Sequence, residues 1–218
     1  MLRLLRRACL TLIVVGLFGL TVTGVAIAQG LVPLADSCDD EPLAGLELHN
    51  GFQESPRCVD TQFGAVAAAD KNPTLLITDA PLLKRTGEGF SLKISTRNLI
   101  RDRFLAAGQG GYYIESAVLN GDNITRGHVH VACRNIGRNA PPSEPAPAFF
   151  RAIEDGGGGP GVSNFRVGIP GNAVQRGTLQ CAAWAGDGSH RTPMMTRANQ
   201  IPAFDSVDVR VIGRGERE

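Results

Sequence analysis

From residue 74 onward, short runs of alternating apolar and polar side chains are interrupted every few residues by Gly, Pro, Asn or Asp. GFSLKISTRN shows the alternation best, with Phe90, Leu92 and Ile94 on one side and Ser91, Lys93 and Ser95 on the other. Successive side chains of a strand point to opposite faces, so a period of two marks a half-buried strand. TLLITDAP, GYYIESAVL, HVHVACRNI, NFRVGIP, TLQCAAWAG and DSVDVRVIG read as further strands. No long segment carries the 3.6 period of an amphipathic helix, and RDRFLAAGQ and PAFFRAIED are expected to make a helical turn or two each. Many short strands between turn residues predict an all-β protein, an antiparallel β-sandwich of jelly-roll or immunoglobulin-like type.

The N-terminus follows a different pattern. MLRLLRRACL carries Arg3, Arg6 and Arg7 without an acid, an apolar run follows, and Ala26 and Ala28 are small residues placed for a cut. This is the pattern of a secretory signal peptide over residues 1–28. A retained membrane anchor is the competing reading, since about 20 apolar residues make a span, but Gly16, Gly19, Gly24 and the small exit residues favour removal. The remainder divides into a Cys-stapled loop segment (29–61), the β-sandwich (62–212) and a charged, disordered tail (213–218). Within the sandwich, the Pro-rich NAPPSEPAPA and the glycine run EDGGGGPG read as flexible loops. The glycine run lacks the Lys-Ser/Thr and the following helix of a phosphate-binding loop.

Removal of the leader leaves 190 residues, with 19 basic against 21 acidic side chains. That size suits one domain. The even charge lacks the basic stripe that nucleic acid would require, and the cleaved chain has no span to hold it in a membrane. The expected address is extracellular or envelope-associated, with an envelope component or extracellular glycan as the partner class. Cys9 leaves with the leader, and Cys38, Cys58, Cys133 and Cys181 remain, an even number in an oxidising compartment. Of the three possible pairings, Cys38–Cys58 staples the loop segment and Cys133–Cys181 joins two predicted strands. No C-x-x-C spacing supports a zinc site built on these thiols.

The candidate chemistry lies in RGHVHVACR, Arg126 to Arg134. On a strand His128 and His130 share one face while Val129, Val131 and Cys133 share the other. The valine–cysteine face suits the core, which leaves two imidazoles side by side on the opposite surface. Imidazole is a good ligand for zinc or copper. The Asn120-Gly121 signal predicts a hairpin in which Tyr113, Glu115, Arg126, His128 and His130 share a face. In that arrangement Glu115 is either a salt-bridge partner of Arg126 or the acid/base of a catalytic site, and Tyr113 and Arg126 are ligand-binding candidates. WAGDGSHRTP supplies His190 in a Gly-rich loop after the strand of Cys181, and a Cys133–Cys181 bridge would bring it toward the pair. Three histidines with an open position would match a catalytic zinc arrangement. The plainer alternative is two polar residues on the wet side of a strand. The nucleophile-elbow pattern G-x-S-x-G is absent, His49 reads as a turn neighbour, Trp184 as packing, and Tyr112 with Tyr113 as a rim or a sugar-stacking platform.

The segments NLIRDRFLAAGQGGYYIESAVLN, RGHVHVACR, AFFRAIED and GDGSHRTPMMTRANQ…FDSVDV resemble a group of secreted, largely uncharacterised β-domain proteins of fungi and filamentous bacteria. These carry a G-H-x-H strand after a hairpin and a later His-Pro loop. The resemblance spans Phe90 to Val211; it implies export and a compact β-domain, and maps the group's histidines onto His128, His130 and His190. The cupin barrel also carries His-x-His, but its motif wants a Glu three or four residues on, and VACRN supplies none. The sequence therefore supports two readings: an exported binding or envelope-associated module with a metal-binding histidine patch, or a secreted metal-dependent hydrolase or oxidase built on the three histidines.

Overall fold

A computed structural model describes residues 38–39, 43–136 and 146–215 of the chain. All of them fall within one compact unit, residues 35–218. The leader (1–28), the loop residues 137–145 and the last three residues of the tail lie outside the described residues. Among the described residues no helix is long and apolar enough to cross a membrane.

The protein is an all-β sandwich. Its strands are β1 (Thr74–Asp79), β2 (Leu83–Arg85), β3 (Phe90–Arg97), β4 (Leu99–Ile100), β5 (Thr125–Ile136), β6 (Phe149–Ile153), β7 (Gly158–Gly159), β8 (Ser163–Ile169), β9 (Gly177–Asp187) and β10 (Phe204–Ile212). One sheet has the order β1-β3-β8; the other runs β2-β10-β9-β5-β4-β7, with β6 also paired to β5. Most neighbours are antiparallel, while β2 runs parallel to β10 and β4 parallel to β5. Alternation explains the layering. Leu92 and Ile94 of β3 and Val167 and Ile169 of β8 face Val129 and Val131 of β5, Leu179, Ala183 and Ala185 of β9, and Val209 of β10 in one buried core. Both expected disulfides form, Cys38–Cys58 and Cys133–Cys181. The second joins residues directly opposite each other on β5 and β9, with Cα atoms 4.0 Å apart.

Three local expectations are corrected. GYYIESAVL is not a strand: residues 112–119 contribute only the isolated bridges Gly64↔Ala117 and Leu119↔Thr125. The Asn120 side chain closes a five-residue loop by accepting the amides of Asp122 (3.0 Å) and Ile124 (2.8 Å). Beyond that loop the hairpin cannot lengthen, because β9 and β6 occupy the two edges of β5 from Gly127 and Val129 onward. PAFFRAIED is not a helical turn but contains β6, since an open edge of β5 outweighs weak local helix preference. The glycine run is not a slack connector: Gly158 and Gly159 pair with β4 as β7. Gly158 has φ +96°, and a Cβ there would lie 2.0 Å from the Leu99 carbonyl oxygen, so only glycine fits. RDRFLAAGQ holds one short 3-10 turn, Ala107–Gln109, in an otherwise irregular crossing.

Candidate metal centre

The core takes one face of β5 and the histidines take the other. His130 lies opposite Trp184 and His128 opposite Gly186 across the β5–β9 ladder. This outer face is not wet. His128 is 0 % exposed, His130 5 % and His190 9 %, because the crossing between β4 and β5 folds over it. The Phe104 ring lies 4.9 Å from His128 and 5.1 Å from His190. Phe150 and Trp184 each lie 5.2 Å from His130, and Tyr112 stacks on His190 at 4.8 Å and 22°.

His190 arrives from the loop after β9. Asp187 organises that loop: its Oδ1 accepts the amides of Ser189 (2.8 Å) and Arg191 (3.0 Å), and Oδ2 takes Arg191 Nε at 3.2 Å. The His190 amide donates to the Asp187 carbonyl at 3.0 Å, and His190 itself has φ +66°. Left-handed backbone is uncommon outside glycine and is retained where surroundings impose it, often at functional sites. The result is a third imidazole turned toward the strand pair. Ring centroids are 4.5 Å apart for His128–His130, 4.9 Å for His128–His190 and 5.5 Å for His130–His190.

The nitrogens show which atoms are free to bind. His128 Nδ1 lies 3.0 Å from the Arg103 carbonyl oxygen. A carbonyl can only accept, so Nδ1 carries the proton and Nε2 the lone pair, the state that a metal requires of an imidazole. The Nδ1 of His190 has no hydrogen-bond partner. Among the described residues, the buried side-chain nitrogen or oxygen atoms without a hydrogen-bond partner are His128 Nε2, His130 Nε2 and His190 Nδ1. Buried polar atoms are nearly always paired, and an exception requires a cause. One ligand nitrogen from each of these residues lies within 4.8 Å of the other two. Bonds of about 2.0–2.1 Å to a tetrahedral ion set donors about 3.3 Å apart, so small ring rotations would close the set.

Electrostatics suit the same role. Burial drives the His128 pKa down to about 4, against the Arg103 hydrogen bond that raises it, and the His190 ring lowers it further. Burial also takes His130 to about 3, helped by the two neighbouring imidazoles. Burial lowers His190 as well. His128 and His130 are therefore neutral donors near neutral pH, and burial pushes His190 the same way.

The other sequence-predicted residues are placed differently from the hairpin expectation. Glu115 is held bidentately by Arg103, at 2.9 and 3.2 Å, and not by Arg126. Arg126 pairs with Asp102 at 2.9 Å. Tyr113 has φ +59° and donates its amide to the Ser189 carbonyl at 3.2 Å, with its ring against His49 and Tyr112. These residues surround the histidines without joining the converging nitrogens. His49, read as a turn neighbour, accepts the Gly51 amide through Nδ1 at 3.0 Å and also borders Tyr112 and Tyr113. Sequence reasoning missed Arg103, Phe104 and Gly186. Gly186 did leave a signal, as a glycine inside a strand marks close approach of another group. A Cβ there would meet His128 Nε2 at 2.6 Å and Cε1 at 2.8 Å.

Neither known protein families nor curated protein sequences show a match to the chain.

Proposed function

We propose that this is an exported, disulfide-stapled β-domain that binds a transition metal through His128, His130 and His190. One observation carries the reading: three buried histidines each keep a partnerless ring nitrogen, and one ligand nitrogen of each lies within 4.8 Å of the other two. Left without an ion, each would cost about 1–3 kcal/mol in unmet hydrogen bonding; an ion satisfies all three at once. The two disulfides agree with an oxidising compartment. A binding role is favoured over a hydrolytic one by Glu115, whose carboxylate already sits in the guanidinium fork of Arg103.

The test is metal analysis of the purified protein, with melting curves in added zinc or copper for wild type and the His128→Ala/His130→Ala double variant. One metal per chain is expected. At a hundred times Kd, binding adds about 2.7 kcal/mol, which raises Tm by roughly 5–10 °C for a domain of this size. The double variant should show neither metal nor shift. Wild-type protein that takes up no metal and does not shift would refute the proposal.

A further inference from the structure

We infer that the site is built for copper in its cuprous state, held by three nitrogens alone; this rests on the metal-site reading above. The converging group consists of three histidines, with no carboxylate or thiolate among them. Every donor is neutral, so the bound ion keeps its whole charge.

The surroundings make that charge decisive. The ligands are 0 to 9 % exposed and are faced by the rings of Phe104, Tyr112, Phe150 and Trp184. The acids bordering the cluster are already engaged. Asp187 binds Arg191 and two loop amides, and Glu115 lies in the fork of Arg103. The cost of desolvating an ion grows with the square of its charge, so a divalent ion is penalised about four times as heavily as a monovalent one. Anionic ligands normally offset that penalty, and this donor set has none.

Ligand count points the same way. Zinc takes four ligands, and with three from protein it needs a water or substrate in the fourth position. Cupric ion prefers square-planar or tetragonal donors. Cuprous ion is a filled-shell cation that is content with three. The free nitrogens of His128, His130 and His190 number three, and on the sheet face they are bordered by Phe150, by Trp184, whose indole N–H can only donate, and by Gly186.

The experiment loads the purified protein with one equivalent of copper under ascorbate and exclusion of air. It then measures the reduction potential of the bound ion and its copper X-ray absorption spectrum, and titrates zinc(II) separately. The expected result is a copper ion with three nitrogen neighbours. Its affinity as cuprous ion should exceed its affinity as cupric ion by at least tenfold over the aqueous couple, a potential raised by about 59 mV or more. A smaller rise, a fourth oxygen or nitrogen neighbour on cuprous ion, or zinc displacing cuprous ion at equal concentration would overturn the cuprous assignment and leave the metal site standing. Failure to bind copper or zinc at all would remove both. His190→Asn, which keeps a residue tolerant of the left-handed backbone, should fold and lose the three-nitrogen signature.

Discussion

Gly186→Ala is a one-methyl probe of the candidate centre. Gly186 lies opposite His128, and an added Cβ would stand 2.6 Å from Nε2 and 2.8 Å from Cε1 of that ring. Ordinary contact needs about 3.4 Å or more, so the ring must retreat by most of an ångström, with the lone-pair nitrogen leading the movement. The hydrogen bond from Nδ1 to the Arg103 carbonyl, 3.0 Å long, would stretch or tilt as the ring pivots. Overpacking of this kind costs about 1–3 kcal/mol. Disturbing the orientation of a metal-binding histidine typically lowers affinity about 10–100-fold. The comparison is Gly168→Ala, a strand glycine of β8 whose added Cβ meets nothing within 4 Å and whose backbone any residue can adopt. Urea melts of the metal-free forms and metal titrations of both variants separate the two effects. Gly186→Ala should lose stability and affinity together, while Gly168→Ala should retain both. If Gly186→Ala binds metal as tightly as wild type, Nε2 of His128 is not a ligand.

Three further outcomes are expected. His128 and His130 are held neutral, with pKa values near 4 and 3 against 6.5 when exposed. The unfolded chain therefore binds more protons than the folded one between those limits. Metal-free protein is most stable above about pH 6.5 and loses roughly 2 kcal/mol per ring by pH 5; a urea midpoint that stays flat between pH 7.5 and 5 would contradict this. Replacing Cys133 and Cys181 by alanine opens a 48-residue loop, which on chain-entropy grounds costs about 4 kcal/mol and should appear as a matching drop in unfolding free energy. Arg101, 2 % exposed, bonds Asp155 bidentately, reaches Thr96 and Ser163, and lies 4.4 Å over the Phe165 ring. Arg101→Met should destabilise by about 1–3 kcal/mol in urea unfolding, because it leaves the buried Thr96 hydroxyl without its partner, while Asp155, 43 % exposed, turns to water; an unchanged unfolding free energy would refute this.

The strands and the disulfides were legible because each leaves a local mark: a period of two, or an even number of thiols after a stretch that reads as a leader. The same period placed His128 and His130 on one face. What it could not supply was the cover. A polar face on a strand ordinarily meets water, and here it is roofed by Phe104 and Tyr112 from a crossing without any repeat in its side-chain pattern. The hairpin failed for a related reason, since both edges of β5 were claimed by β6 and β9, one of which read as helical. His190 was reachable only by assuming the Cys133–Cys181 bridge, and its turn toward the pair depends on Asp187 gathering the loop amides.

Cys133 follows His130 by three residues, and Cys181 precedes Trp184 by three, directly across the ladder. Sliding β5 past β9 by a single step would point the valines outward and drive both imidazoles into the apolar interior. A covalent pin between two facing residues forbids that slide outright. Beyond any thermodynamic gain, the bridge thus acts as an alignment key: each newly oxidised chain is indexed to the one pairing in which its histidines can meet.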